Sequence, residues 1–270
     1  MTDSVLKVRV DAPSGTVILN RPQHHNALSR SMVHELLQVF EDLYRQLSVR
    51  AVIITGAGNS FCAGTDLKEL HQSTSDPLTS PQSNLQSQQQ WQDDVMASRE
   101  LLASMWRFPK PIIAAIHGPA LGMGAGLALV ADLVIASPSA TFGFPEIRRG
   151  LVAGLSAPLL HFRLAGARSA QLLMTGEPID ADTALQWGLF QEIVAHDLLW
   201  ARAQELAQQC ATAPHESVAL TKRMLNENIG ELLTTQLSLG AALTATARTT
   251  EMAAEGIAAF VEKRPPKWQT

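Results

Sequence analysis

Cysteine is nearly absent from this 270-residue chain: only Cys62 and Cys210 are present. Two are too few for a disulfide framework, and neither sits in a C-x-x-C pair of the kind that holds zinc. A reducing compartment fits best, and the cytoplasm is the expected location. No run of about 20 apolar residues is present to cross a bilayer, and Met1-Thr2-Asp3-Ser4 lacks the basic start and apolar stretch of a secretory leader. An excess of either charge is also missing. The 21 basic and 25 acidic residues give −4 with no long basic block, which disfavours nucleic acid as the main ligand. The eight histidines form no H-E-x-x-H arrangement, so no metal is expected. Gly56-Ala57-Gly58 runs on to Phe61, and Gly122-Met123-Gly124 to Leu127, where a dinucleotide fingerprint needs a third glycine. Gly154-Leu155-Ser156-Ala157-Pro158 lacks the second glycine of a nucleophile elbow. Nicotinamide and serine-hydrolase chemistry are therefore both disfavoured.

What the sequence does hold is an alternation of strand and helix patterns. Leu6-Lys7-Val8-Arg9-Val10 alternates apolar with polar residues, breaks at Ala12-Pro13-Ser14-Gly15 and resumes at Thr16-Val17-Ile18-Leu19, as a hairpin does. Ser29 stands as an N-cap ahead of a helix whose apolar residues Met32, Leu36, Val39, Phe40, Leu43 and Leu47 recur at spacings of three and four. Val52-Ile53-Ile54 reads as a buried strand, and the same strand pattern returns over 112–116 and at Leu133-Val134-Ile135, which indicates an α/β architecture. Over 72–92 the composition shifts to Ser, Gln, Asn, Thr and Pro, and a mobile loop is expected there, either a flap over a ligand or a solvated insertion. Helices are expected from 198 onward, at 216–227 and in a long stretch over 231–261. The apolar residues of that stretch, among them Leu232, Leu233, Leu237, Leu239, Leu243, Met252, Ile257 and Phe260, are too many for a free-standing tail. A core over 1–197 and a helical module over 198–270, packed on that core or on another subunit, is the expected organisation.

The chemistry-bearing segments are Ser60-Phe61-Cys62-Ala63-Gly64-Thr65-Asp66-Leu67 and His117-Gly118-Pro119-Ala120-Leu121-Gly122-Met123-Gly124, with a lone carboxylate in Phe144-Pro145-Glu146. Each glycine segment follows an apolar run and is expected to open a helix, whose first turn leaves backbone N–H groups unpaired. Two such sets aimed at one point suit a negatively charged oxygen. Close helix packing is the other use of such glycines. Glu146 lies among Phe142, Phe144, Ile147 and Leu151, which would raise its pKa, while Arg148 and Arg149 would lower it if turned inward. A glutamate after Pro145 also suits a helix start on electrostatic grounds alone.

Taken with their flanks, these segments resemble the enoyl-CoA hydratase/isomerase family, also called the crotonase superfamily. The likeness runs through Leu19-Asn20-Arg21-Pro22 with Asn26-Ala27-Leu28, Ile54-Thr55-Gly56 with residues 61–69, residues 109–118, Ala131-Asp132, residues 142–146, and Glu255-Gly256 with residues 260–264. The order and combination of these motifs are specific, although no single one is. The resemblance implies a crotonase-like spiral of ββα units with a C-terminal helical module, assembled as a homotrimer or homohexamer. It also implies acyl-CoA thioester substrates, with coenzyme A part of the substrate and no separate cofactor. By position, the oxyanion donors are the main-chain N–H groups of Thr65 and Met123. Met123 stands where many relatives have glycine, so its bulk either narrows the acyl pocket or distorts the hole if the backbone there needs a glycine-only conformation. Ala63, Asp66, Leu67 and Lys68 are implied at the thioester and adenine side, Asp66 chiefly ordering the loop. Phe260 and Lys263 are implied to reach a neighbouring subunit's CoA. Gln23 takes a place often held by lysine, ahead of His24 and His25.

Hydratases of this family usually carry two glutamates, and the first of those positions is Gly126 here. Only Glu146 remains. One base suffices to shift a double bond, whereas adding water uses carboxylates to orient the water and protonate carbon. The resemblance with this departure implies an isomerase in which Glu146 moves a proton from C2 to C4 of a 3-enoyl-CoA. Hydration by Glu146 alone, thioester hydrolysis and non-catalytic acyl-CoA binding are the alternatives.

Overall fold

The computed structural model describes residues 4–72, 81–164, 166–227 and 230–269. The chain opens with β1 (Leu6–Asp11) and β2 (Ser14–Leu19), an antiparallel pair in the expected place. α1 (Arg30–Arg45) follows, its N-cap Ser29 accepting from Met32 N. Its buried stripe is Met32, Val33, Leu36, Phe40 and Leu43, and Leu47 falls beyond the helix end at 89% exposure. Next come β3 (Ala51–Gly56), α2 (Leu67–Gln72), α3 (Pro81–Arg107), β4 (Ile112–Ile116), β5 (Pro119–Leu121), α4 (Met123–Val130), β6 (Leu133–Ala136) and β7 (Thr141–Gly143). After them stand α5 (Ala157–Arg163), α6 (Gly166–Thr175), β8 (Ile179–Asp180), α7 (Ala181–Gln186) and β9 (Glu192–Ile193). The chain ends in α8 (Leu199–Ala211), α9 (His215–Glu227), α10 (Gly230–Arg248) and α11 (Glu251–Glu262).

The larger sheet has the order β1-β2-β3-β4-β6-β9, parallel from β2 onward. Its central strands are buried on both faces, as parallel strands with helices on either side must be. Alternate residues serve alternate layers. Val52, Ile54, Ile112, Ala114 and Ile116 face the main core with α1 and α3, while Ala51, Ile53, Ile113, Ala115 and Ile135 meet Leu199, Ala203 and Ala207 of α8. A smaller sheet, β5-β7-β8, stands beside it, and the chain passes from β4 into β5 and from β6 into β7 after only a few residues. These two turns of the spiral therefore each give one strand to each sheet.

One expectation needs correcting. Residues 81–92 are not a loop but the first part of the long helix α3; the rest of the expected loop up to residue 80, apart from Gln72 at the end of α2, lies outside the described residues. Polar composition misleads here because a helix needs anchoring only somewhere along its length. Trp91, Val95, Leu101, Leu102 and Met105 are buried, and extending an anchored helix through Gln and Ser costs little compared with nucleating it. The stretch over 231–261 is helical as expected and is divided into α10 and α11. Thr250 caps α11, its Oγ1 accepting from Ala253 N at 3.1 Å, so a side-chain acceptor replaces the continuing helix at that point.

Candidate active site

Strand register brings the site together. Cys62 bridges to Ala120, and Ala120 pairs with Phe142, so these three lie in a row across the smaller sheet. The chain leaves the sheet beyond that row three times, and Thr65 and Met123 stand three residues on, Glu146 four. Segments distant in sequence thus end beside one another.

Two glycines permit the close approach. Gly64 has φ +91° and Gly122 φ +55°, a region that L side chains rarely enter. A Cβ on Gly64 would lie 2.8 Å from Leu121 O and 3.2 Å from Met123 N, and one on Gly122 would lie 2.8 Å from Glu146 Oε1. Met123 itself has ordinary helical geometry at the start of α4 and is not among the positive-φ residues. The glycine-only demand falls one residue earlier, so the methionine does not distort the turn.

The first junction differs from its expected form. Thr65 is not in a helix first turn: α2 starts at Leu67, and Thr65 sits in a strand-like bridge to Leu28. Leu28 N donates to Gly64 O at 2.8 Å and Asp66 N to Leu28 O at 3.0 Å. Those bonds use the peptide groups on either side and leave the N–H of Thr65 directed away from Leu28. Among the described residues, neither that N–H nor the N–H of Met123 donates to a protein acceptor.

Glu146 sits in a short 3-10 turn, Pro145–Arg149, whose ring-constrained proline opens the turn. Its Oε2 is buried without a hydrogen-bond partner. Burial pushes its pKa up to about 7, opposed by its own backbone N–H and by the nearby Arg149 guanidinium. Arg149 turns inward, donating to Pro145 O at 3.1 Å and lying 4.5 Å over the ring of Phe260. Arg148 turns outward to Thr175 O and Glu177.

All three groups line one cavity of about 530 Å³, within the range of small-molecule sites. Ala63, Asp66, Leu67, Lys68 and Phe260 line it too, as do Gln23, His24 and His25, whereas Lys263 does not. Lys263 is the left-handed C-cap of α11 and is exposed. Asp66 is committed to structure: its Oδ2 accepts from Arg21 at 2.8 Å and its Oδ1 from Lys68 N and Glu69 N at the start of α2. Cys62 is buried with its thiol pushed up to about 12 by desolvation, and it bonds Asn26 O, which makes it a packing group. Gly126 faces Ser156, whose Oγ would be 2.7 Å from a Cβ there. Among the described residues no cluster of three His, Cys, Asp or Glu is placed to hold a metal ion, and no helix is long and apolar enough to cross a membrane.

Arg149, weighed in the sequence only as a charge near Glu146, and Ser156, weighed only as a nucleophile, also line the wall, and two further wall residues were missed, Thr244 and Arg248. A signal for the last two existed. The buried stripe of α10 runs Leu233, Leu237 and Ala241, and at the same helical spacing it continues into a threonine and an arginine.

A two-sheet spiral that brings paired backbone donors and one carboxyl group to a common cavity defines the crotonase class of α/β proteins. Solved structures agree: an enoyl-CoA hydratase/isomerase from Xanthobacter autotrophicus Py2 superposes with a TM-score of 0.84 at 28% identity, covering 97% of this chain and 93% of that one. The enoyl-CoA hydratase/isomerase family model matches residues 14–270, and the chain belongs to that family of enzymes. A putative enoyl-CoA hydratase of Thermus thermophilus is 37% identical over 253 residues, 93% of this chain and 96% of that protein. The 1,2-epoxyphenylacetyl-CoA isomerase of Escherichia coli K12 is 32% identical over 254 residues, 94% of each.

Proposed function

We propose that this enzyme shifts the double bond of an acyl-CoA thioester, converting a 3-enoyl to a 2-enoyl ester with Glu146 as the single base. One observation carries the reading. Of the carboxylates among the described residues that line the cavity, Asp66 is held by Arg21 and the start of α2, and Glu146 alone has a buried oxygen with no partner. A base near neutral pKa is matched to moving protons at physiological pH.

Glu146 takes the C2 proton of the 3-enoyl ester. The electron pair moves onto the thioester carbonyl, and the resulting enolate oxygen accepts from the N–H groups of Thr65 and Met123. Glu146 then gives the proton to C4 as the double bond moves to C2–C3, so nothing is gained or lost overall. Ser156 beside Gly126 supplies a hydroxyl where a second acid would be needed to manage a water nucleophile. One relative is named an isomerase of an epoxyphenylacetyl-CoA, and that name speaks only for that protein. Coenzyme A is part of the substrate and no separate cofactor is required. Ala63, Leu67 and Lys68 would bound the thioester and adenine side, with Phe260 and Lys263 toward a neighbouring subunit. Residues 198–270 would supply the trimer or hexamer contacts, for which the exposed Leu220, Met224, Leu225, Leu239 and Leu243 offer apolar surface.

The test is a panel of 2-enoyl, 3-enoyl and 3-hydroxyacyl CoA esters with product double-bond position determined for wild type and Glu146→Gln. Conversion of 3-enoyl to 2-enoyl esters that Glu146→Gln abolishes is the expected result. Hydration of 2-enoyl esters at comparable rates would overturn the isomerase assignment, and release of free CoA would indicate hydrolysis instead.

A further inference from the structure

Polar groups end the buried stripe of α10 where more leucine would be expected beside an aliphatic tail. Arg248 is 8% exposed, and its Nη1 donates to Trp91 O only across a long 3.5 Å. Asp94, the acid that favours its charge, is already taken by Arg30 Nε at 2.7 Å, Arg30 Nη2 at 3.0 Å and Gln90 Nε2 at 3.0 Å. One turn before it, Thr244 Oγ1 is buried with no partner. Both residues line the same cavity as Thr65, Met123 and Glu146, on a wall that α10 shares with Val95 and Ser98 of α3. A guanidinium has five N–H donors in a planar fork, and leaving them unmatched while buried is costly. A hydrocarbon tail would leave both Arg248 and Thr244 in that state. A carboxylate would take a forked pair from Arg248 and a hydroxyl bond from Thr244.

We propose that the acyl group this enzyme accepts ends in a carboxylate held by Arg248 and Thr244, so that its substrates are CoA thioesters of dicarboxylic acids. This rests on the acyl-CoA reading above and narrows it. α10 delivers both residues from its last turns, where the helix dipole also favours a cation. The side chains act on the far end of the acyl group, and the backbone donors and Glu146 act on the thioester end.

The experiment separates binding from chemistry. Saturated, unreactive acyl-CoA esters of matched length, ending either in methyl or in carboxylate, are titrated calorimetrically against wild type, Arg248→Met and Thr244→Val. Turnover of the matching 3-enoyl esters is followed in parallel. Wild type should bind the carboxylate-ended ester at least about tenfold more tightly, the span expected of a charge-assisted hydrogen bond. Arg248→Met should erase that preference, and Thr244→Val should reduce it by a few fold. Should Arg248→Met fail to fold, the near-isosteric Thr244→Val still reads the subsite. Equal or tighter binding of the methyl-ended ester by wild type overturns the proposal, as does equal weakening of both esters in the variants. Preferential binding of the carboxylate-ended ester without turnover upholds the subsite and rejects the isomerase reading; failure of both esters to bind rejects both.

Discussion

Two carboxylates removed from full solvent contact, Asp132 and Glu146, are treated in opposite ways by the same fold. Asp132 follows α4 and has its partners supplied: Oδ2 accepts from Ile112 N at 2.7 Å and from Lys222 Nζ at 2.6 Å. Lys222 has only 7% of its side chain exposed and also donates to Lys110 O. That pair ties α9 to the start of β4, and its charges are matched within the protein. Glu146 has a cavity on one side, an unpartnered oxygen and a pKa pushed up to about 7. Matched charges hold structure together, whereas an unmatched one is a standing cost that a fold tolerates where the group must change protonation state.

Reciprocal substitutions offer the largest test of that contrast. Glu146→Gln should lower kcat by about 10³-fold or more, the scale of losing a positioned general base, while leaving thermal stability equal or higher. Asp132→Ala should do the reverse. It leaves Lys222 buried without its counter-charge and should cost about 2–3 kcal/mol, below the full range for buried pairs because Asp132 keeps some contact with water. Its kcat per folded molecule should persist. Denaturant unfolding and steady-state kinetics on both variants measure the four quantities, and a stability loss in Glu146→Gln matching that of Asp132→Ala would erase the distinction.

The next largest effect is the response to pH. In the proposed role of base, Glu146 would work when ionised, so kcat/KM should rise about tenfold per pH unit below the midpoint near 7 and level off above it. Stability should run the other way. The folded pKa is raised from 4.5 to about 7, so the stabilising contribution is complete below the unfolded value and is lost as pH rises through the folded one. Glu146→Gln should therefore gain more in Tm over wild type at pH 8 than at pH 5, a comparison that scanning calorimetry makes directly. An equal gain at both values would mean that the carboxyl is not buried in solution.

Much of this arrangement was legible from residues 51–69 and 109–146, because a parallel strand buried on both faces has to be a continuous apolar run and a close backbone approach has to use glycine. Gly64 and Gly122 show it: their positive φ angles are written into the sequence as the absence of a side chain. The convergence of Thr65, Met123 and Glu146 was legible only through resemblance, since it depends on the register Cys62–Ala120–Phe142 between strands far apart in the chain. Helix α3 was misread because composition averages over residues while a helix is held by the few that are buried, here Trp91, Val95 and Leu101 among them. Arg248 was missed for a related reason. A single arginine near a helix end looks like a solvated charge until the buried stripe leading to it is traced from Leu233.

The smallest expected effect concerns the partial partner that Glu146 does have. The Arg149 guanidinium lowers the Glu146 pKa, opposing the larger effect of burial. Among the described residues it makes no ion pair at hydrogen-bonding distance, being occupied with Pro145 O and the face of Phe260. Arg149→Met keeps the length and apolar bulk of the stem but removes the charge, so the carboxylate loses its modest electrostatic support and the midpoint of the pH–rate profile should move upward. The movement should be smaller than the displacement burial already causes, because attraction through space contributes less here than loss of water. A downward movement would mean that Arg149 chiefly excludes water from Glu146, in which case burial would depend on the very residue whose charge opposes its effect, and the two carboxylates would differ less in kind than in degree.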